Sequence, residues 1–317
     1  MLARLAAIPD LQSTENVLLS GLTRFAIGGP AAILADASSE AALLAAAAVF
    51  KDSKTPHALI GGGSNLVADD AGFPGVVLRY TARRTEIDGS RVRVAAGTVL
   101  QDLVDATVAA GLAGLHTMTG IPGWVGGAIY GNAGAYGHSI HEFVESVRFF
   151  DGVAVREIGN AKCDFRYRES VFKRQKSWIV LEATLQLAPG DSAQLRAAAE
   201  GILKIRNEKY PPTMRCAGSI FKNLLLAELP EAVRAQVPER VIREGKVPSA
   251  YFLELAGAKG MVLGGVQVAG YHANLIFNAG GGTARQVREL VGILKQRVMD
   301  QCGLRLEEEV QYLGCAN

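Results

Sequence analysis

The sequence predicts an α+β chain of two or three domains, and three observations predict it. The chain has 317 residues, more than a single core usually organises. Hydrophobic residues make up 49% and charged residues 20%, a globular balance. Short apolar runs bounded by turn signals alternate with stretches of helical spacing along the whole length.

A net charge of +2 argues against nucleic acid or an anionic membrane surface as the partner, since either calls for a basic patch. A small anionic ligand needs only a few local cations and stays compatible. Residues 1–12 carry Arg4 but no long apolar core before a small-residue cleavage site, so no signal peptide is expected. The apolar run at 41–50 is too short and too Ala-rich to span a bilayer. Cys163, Cys216, Cys302 and Cys315 are widely spaced without CxxC, so neither a disulfide framework nor a metal site is expected. A reducing cytoplasm is the expected setting.

Residues 33–36 read as a strand. Ser38-Ser39-Glu40 then opens a helix through Phe50, with Ser38 or Ser39 as cap. A strand at 57–60 runs into Gly61-Gly62-Gly63-Ser64-Asn65, and another follows at 75–80. The glycine-rich turn thus follows a βαβ-like unit and offers free amides beside a hydroxyl and an amide, as a phosphate cradle does. It is neither GxGxxG nor a Walker motif, and a plain strand-end turn reads equally well from the local sequence. Residues 86–95 alternate around Asp88-Gly89, a hairpin signal. Thr98 is placed to cap a helix running to Ala110 and ended by Gly111.

Residues 144–150 and 153–158 flank Asp151-Gly152, a second hairpin, and 178–187 is a further strand. The middle region is therefore expected to be antiparallel. A helix at 191–207 is stopped by Pro211-Pro212, and a domain boundary is expected near it. Beyond lie strands at 219–222, 262–268, 275–278 and 309–313 and helices at 249–256 and 283–301. Together they make an α+β module with two helices on one face of a sheet. Residues 224–243 give no assignment.

Five stretches carry possible chemistry. Residues 120–137 hold seven glycines among eighteen residues and no charge. A helix interior loses about 1 kcal/mol per glycine against alanine, so helix is not expected there. The composition suits backbone lying against something flat or extended; a turn packed only on protein is the competing reading. Tyr167-Arg168-Glu169-Ser170-Val171-Phe172-Lys173 places two cations, a phenol and a hydroxyl between strands, although alone it reads as a solvated loop. Small residues before Ser219 expose its hydroxyl, unless it bonds its own backbone. His272 is a lone histidine, more often structural than ligating. Glu307-Glu308-Glu309 reads mostly as a solvated run, but Glu309 precedes apolar Val310 and can begin a strand facing inward. No GxSxG or HExxH motif selects a hydrolase.

These stretches stand in one order with others: Thr23-Arg24-Phe25-Ala26-Ile27-Gly28-Gly29-Pro30, Gly61 to Leu66, Gly120-Ile121-Pro122-Gly123 through Gly126-Gly127-Ala128 to Asn132-Ala133-Gly134-Ala135-Tyr136-Gly137, and Tyr167 to Lys173. Ala217-Gly218-Ser219-Ile220-Phe221-Lys222-Asn223, Gly257-Ala258-Lys259-Gly260, His272-Ala273-Asn274 and Glu309-Val310 complete the set. Each is modest alone, and eight in register are specific. Over residues 23–314 the chain resembles the UDP-N-acetylenolpyruvoylglucosamine reductases.

The resemblance implies a two-subdomain FAD-binding fold of the vanillyl-alcohol-oxidase type, at 1–80 and 81–208, plus a C-terminal α+β substrate-binding domain at 209–317. It implies NADPH as reductant and UDP-N-acetylglucosamine-enolpyruvate as substrate, in peptidoglycan precursor synthesis. Gly61, Gly62, Gly63, Ser64 and Asn65, with Gly120, Ile121, Pro122, Gly126, Gly127, Asn132, Gly134 and Ala135, are expected to cradle FAD. By motif position Arg168 stabilises the enolate that forms when a hydride reaches the methylene carbon. Glu309 is expected at the same carboxylate, sharing a proton, because a bare carboxylate would repel the enolate. Ser219 matches the proton donor. Asn223, four residues on and expected on the same strand, matches a substrate-binding position; Lys259 and His272 are assigned to the diphosphate or sugar.

Three departures accompany the resemblance. Leu224 stands where the family often has Pro. Cys216 is a second candidate acid, ranked below Ser219. No segment reads as the extra tyrosine-bearing loop that some members insert. The competing enzyme is an oxidase of small alcohols or lactones on the same fold. Such oxidases often attach FAD through His or Cys, and neither glycine motif holds a histidine. A non-catalytic flavin-binding protein would not need Arg168, Ser219 and Glu309 together.

Overall fold

The structure is a computed structural model that describes residues 1–314. The chain forms two compact units, each assembled from separated stretches. The first comprises Met1–Val17, Ala31–Gly63 and Pro74–Pro211; the second comprises Leu18–Pro30, Ser64–Phe73 and the chain from Pro212 onward.

In the first unit a four-stranded sheet runs in the order Leu11–Leu18, Pro30–Ala37, Phe73–Tyr80, His57–Leu59. Its last two strands are parallel, joined in sequence by residues 60–72, which carry the Gly61-Gly62-Gly63 turn and the short strand Leu66–Ala68. The helix Glu40–Ser53 starts where Ser39, in extended conformation, accepts a hydrogen bond from the Ala42 amide at 3.2 Å. Ala42, Leu43, Ala46 and Phe50 bury one stripe of it.

The second sheet of this unit has five antiparallel strands, in the order Val155–Gly159, Val144–Phe150, Ile179–Gln186, Arg91–Ala95, Thr85–Asp88. Both expected hairpins form. Asp151 Oδ1 accepts from the Val153 and Ala154 amides, each at 2.8 Å, closing the second. The central strand buries Val180, Leu181, Ala183 and Leu185 in one core with Leu43, Phe50, Leu103, Phe149 and Phe172. Side chains of this size contribute about 1.5–3 kcal/mol each when fully buried. Thr98 is not the helix cap that its position suggested. The helix is Leu100–Ala109 with Val99 at its N-cap, and Thr98 Oγ1 instead accepts from Arg84 N (3.2 Å) and donates to Arg84 O (3.3 Å).

In the second unit the strands Cys216–Ser219, His272–Asn278, Val266–Ala269 and Val262–Leu263 form an antiparallel sheet in that order. The expected single strand at 262–268 is thus two, turning at Gly264, whose φ of +57° suits glycine. The helix Ala284–Cys302 opens with a capping box between Thr283 and Gln286 and ends at Gly303, φ +66°. Its buried stripe of Val287, Leu290, Val291, Leu294 and Val298 packs beside the helix Ser249–Leu255. The expected strand at 219–222 begins and ends earlier. After Ser219 the chain leaves the sheet and meets residues 307–309 through a bridge between Phe221 and Glu308. The last strand is Gln311–Leu313, parallel to Leu66–Ala68. Residues 224–243, which gave no assignment, hold the two-residue strand Leu224–Leu225, paired with Lys246–Val247, and short helical turns.

Among the described residues, no helix is long and apolar enough to cross a membrane, and no group of three or more His, Cys, Asp or Glu side chains could hold a metal. Cys163, Cys216 and Cys302 are free thiols; Cys315 lies outside the described residues.

Candidate active site

The two glycine motifs meet within the first unit. A Cβ on Gly62 would lie 3.1 Å from Trp124 Cδ1 and 3.2 Å from the Gly123 Cα. The second motif is fastened to its neighbours by backbone bonds: Leu100 N to Gly123 O (2.9 Å), Val125 N to Thr98 O (2.9 Å) and Gly126 N to Ala96 O (2.8 Å). Residues 120–137 contain a helix after all, Val125–Tyr130, which buries Val125, Ala128 and Ile129. It forms because Gly126 lets the backbone approach Ala96, where a Cβ would sit 3.0 Å from the alanine Cβ.

Packing explains Gly62 and Gly126, but not Gly61 and Gly127. Around each of those two, a Cβ would meet no atom of the described residues within 4 Å, and neither has a positive φ. Glycine there leaves room that protein does not fill, which fits a flat or extended cofactor laid against the backbone. Gly120 N is committed to Gln101 Oε1 at 2.7 Å, Ile121 packs on the core, and Pro122 is exposed. Asn132, 3% exposed and with φ +44°, spends its side chain on protein. Its Nδ2 donates to Arg166 O (2.8 Å) and its Oδ1 accepts from His141 N (3.3 Å). Gly134 and Ala135 pair with Ser139 and His138 as a two-residue ribbon.

Arg168 also belongs to the first unit. Arg166 and Glu169 exchange backbone hydrogen bonds of 3.0 and 3.1 Å, which makes residues 166–169 a tight turn rather than a solvated loop. Arg168 sits in it at φ +57°. A left-handed non-glycine residue costs roughly 1–2 kcal/mol, and persists when its surroundings fix it. Here its Nη2 donates to Gly134 O at 2.9 Å, its guanidinium lies 5.3 Å from the Tyr167 ring centroid, and its carbonyl accepts from Lys173 Nζ at 2.9 Å. Ser170, fully buried, donates to Tyr130 O at 2.7 Å and caps the helix Val171–Arg174.

The second unit holds the other candidates. Cys216 faces Phe277 across the sheet and Ser219 faces Leu275, so the strand carries one extra residue. This bulge, at Gly218 with φ +76°, re-aims the side chain that follows. Ser219 is half-buried, whereas Cys216 is fully buried. Glu309 N donates to Ile220 O at 2.7 Å, so Ser219 and Glu309 lie on adjoining backbone segments. Glu309 O accepts from Asn65 Nδ2 at 2.9 Å. The other two carboxylates of the run are ion-paired, Glu307 with Lys222 (2.6 Å) and Glu308 with Lys295 (2.9 Å), so the run is not simply solvated.

Asn223 lies beyond the strand, not on it as expected, and its Oδ1 accepts from Ser249 N at 3.4 Å. His272 Nδ1 accepts from Asn274 N at 3.2 Å, which leaves the proton of the neutral ring on Nε2. Lys259 is exposed and ion-paired with Glu254 at 3.0 Å. In the sequence Asn274 stands in a motif with no role of its own and Ser249 carries no signal. Both prove central to the second unit's half of the candidates, through partners remote in sequence.

Two family models match this arrangement. Residues 31–154 match an FAD binding domain, and residues 210–313 match the UDP-N-acetylenolpyruvoylglucosamine reductase C-terminal domain. The chain is an α+β flavoprotein that uses FAD, and an oxidoreductase. The UDP-N-acetylenolpyruvoylglucosamine reductase of Solibacter usitatus is 54% identical over 311 residues, covering 98% of this chain and 100% of that relative. UDP-N-acetylenolpyruvoylglucosamine reductase 1 of Bacillus cereus is 33% identical over 303 residues, 93% of each chain. The crystal structure of the Thermus caldophilus reductase superposes with a TM-score of 0.75 at 28% identity, covering 96% of this chain and 99% of that one. The chain belongs to the UDP-N-acetylenolpyruvoylglucosamine reductase family.

Proposed function

We propose that this chain reduces the enolpyruvyl ether of UDP-N-acetylglucosamine-enolpyruvate to UDP-N-acetylmuramate, with NADPH as reductant, in peptidoglycan precursor synthesis. The observation that carries the reading is the hydrogen bond from Arg168 to Gly134 O. It ties a cation held in a strained conformation to the glycine-rich segment suited to a cofactor. In this reading residues 1–80 and 81–208 are the FAD subdomains, residues 209–317 are the substrate domain, and the cytoplasm is the place of action.

When bound, FAD would supply a hydride, taken from NADPH, for the methylene carbon of the ether. The C=C electron pair then moves toward the carboxylate, and Arg168 stabilises the enolate; a preorganised donor at a developing charge is usually the largest catalytic contribution. Ser219 Oγ gives its proton to the neighbouring carbon, which completes the CH–CH3 unit, and regains a proton from solvent. Glu309 holds the carboxylate end of the substrate. Asn223, Lys259 and His272 serve its diphosphate and sugar. The backbones at Gly61–Gly63, Ser64, Asn65, Gly120–Pro122, Gly126, Gly127 and Gly134-Ala135 would hold FAD, and Asn132 would keep that segment in place through its bonds to Arg166 O and His141 N.

An anaerobic absorbance titration tests the reading. The flavin band should bleach with NADPH and return on adding UDP-N-acetylglucosamine-enolpyruvate. A bleached band that returns only with oxygen replaces this reading with that of an oxidase.

A further inference from the structure

Resting on that functional reading, we propose that Asn274 and Ser249 are a positioning pair that fixes Ser219 and Asn223 for the protonation step. Residues 220–222 connect the proton donor to the substrate-binding asparagine, and they belong to no regular strand. Residues 307–309 hold them on one side, where Lys222 N donates to Glu307 O at 2.9 Å. Asn274 holds them from the neighbouring strand on the other. Its backbone carbonyl accepts from Ile220 N at 3.1 Å. Its side-chain Oδ1 accepts from Phe221 N at 2.9 Å, and its Nδ2 donates to Phe221 O at 2.8 Å and to Ser249 Oγ at 2.7 Å. One side chain thus clamps both the N–H and the C=O of Phe221, as a paired strand would.

Ser249 extends the clamp to Asn223. Its Oγ donates to Phe221 O at 3.4 Å, and its backbone N–H donates to Asn223 Oδ1 at 3.4 Å. That bond turns the Asn223 amide oxygen toward the Ser249 backbone. Asn274 is 2% exposed and Ser249 fully buried. In so dry a site each polar group must keep a partner, so the path of 219–223 cannot drift without breaking several bonds at once. On the opposite side, Glu309 N holds Ile220 O at 2.7 Å. The bulge at Gly218 aims Ser219, and the Asn274–Ser249 pair keeps that aim fixed.

The test uses the flavin-loaded full chain with Asn274→Ala and Ser249→Ala. Flavin bleaching by NADPH should proceed at the unaltered rate in both. Reoxidation by UDP-N-acetylglucosamine-enolpyruvate should slow by about 10²-fold in Asn274→Ala, since a displacement near 1 Å can cost that much. It should slow less in Ser249→Ala, which keeps both Asn274 side-chain bonds to Phe221 and loses only those of the Ser249 hydroxyl, and kcat should fall more than KM rises. Hydrogen exchange at residues 219–223 should quicken in both variants, a readout independent of turnover. Unaltered reoxidation or unaltered exchange in a folded variant overturns the proposal. So does a parallel fall of both half-reactions with the melting temperature, which would mark a merely structural role. Ser249→Ala decides alone if Asn274→Ala does not fold. If the unaltered chain itself is not reoxidised by this substrate, the functional reading fails, a result distinct from failure of the pair.

Discussion

The backbone amide of Glu309 donates to the carbonyl of Ile220 at 2.7 Å, so the Glu309 segment and the segment leaving the serine strand form one backbone assembly. The contact joins residues far apart in sequence and places Ser219 one residue from the bond. If Ser219 is the proton donor, Ser219→Ala removes one hydroxyl and leaves that assembly intact. The expected outcome is normal flavin bleaching by NADPH with substrate-driven reoxidation reduced on the order of 10²–10⁴-fold. Reoxidation at the unaltered rate would remove Ser219 from the mechanism.

Arg168→Lys keeps a positive charge but loses the planar fork that pairs with a carboxylate. It also loses the guanidinium geometry that reaches Gly134 O at 2.9 Å. Reoxidation by substrate is expected to fall about 10²–10³-fold, the usual loss for one stabilising donor. The melting temperature should change little, because the turn is closed by the backbone bonds of Arg166 and Glu169. Stopped-flow absorbance together with thermal melts checks both halves of this expectation.

What could be read from the sequence was what is local. The Ser39 cap and the turns at Asp88-Gly89 and Asp151-Gly152 are fixed by neighbours within a few residues, and the structure has all three. Thr98 misled because its hydroxyl serves Arg84, fourteen residues back, rather than the helix that follows it. The helix inside residues 120–137 was hidden by its glycines, which are there for Ala96 and for open space rather than for flexibility. Asn274 was invisible as a clamp because Phe221 and Ser249 stand 53 and 25 residues away. The motif order, in contrast, carried the family, since chemistry-bearing residues keep their place in the chain wherever the fold puts them.

Asn132 gives a stability prediction. Removing its side chain leaves the His141 amide without its acceptor, at about 1–3 kcal/mol, and takes from the Arg166 carbonyl one of its two donors, the Glu169 amide remaining. At φ +44°, alanine adds strain that glycine does not. Asn132→Ala should therefore unfold at lower urea than Asn132→Gly, and both below the unaltered chain. Equal midpoints for the two variants would show that the backbone conformation costs nothing there.

His116 gives a pH prediction. Burial first, and the nearby His138 second, hold its pKa below 6.5, and its Nδ1 accepts from Gly114 N at 3.2 Å. The folded chain binds this proton less readily than the unfolded chain. The contribution of neutral His116 is complete above 6.5 and is lost as pH falls through the lowered pKa. Between about pH 7 and pH 5 the melting temperature should drop further for the unaltered chain than for His116→Asn, which keeps an acceptor but does not titrate. Parallel curves would show that His116 does not couple folding to protons.

Gly127→Ala separates the cofactor's demand from the protein's own. A Cβ at this position meets no atom of the described residues within 4 Å, and the residue lies inside the helix Val125–Tyr130. Alanine in a helix interior is favoured over glycine by about 1 kcal/mol, so the flavin-free variant should be as stable as the unaltered chain or slightly more so. In the proposed reading the methyl group would stand where FAD lies, and FAD affinity is expected to fall at least about tenfold, roughly 1.4 kcal/mol. Gly126→Ala is the contrasting variant: its Cβ would press on the Ala96 Cβ at 3.0 Å, so its loss should appear in the flavin-free fold itself. Fluorescence titration with FAD and urea unfolding of both flavin-free variants distinguish the two. Undiminished FAD binding by Gly127→Ala would mean that the open side of this helix is not where the cofactor lies.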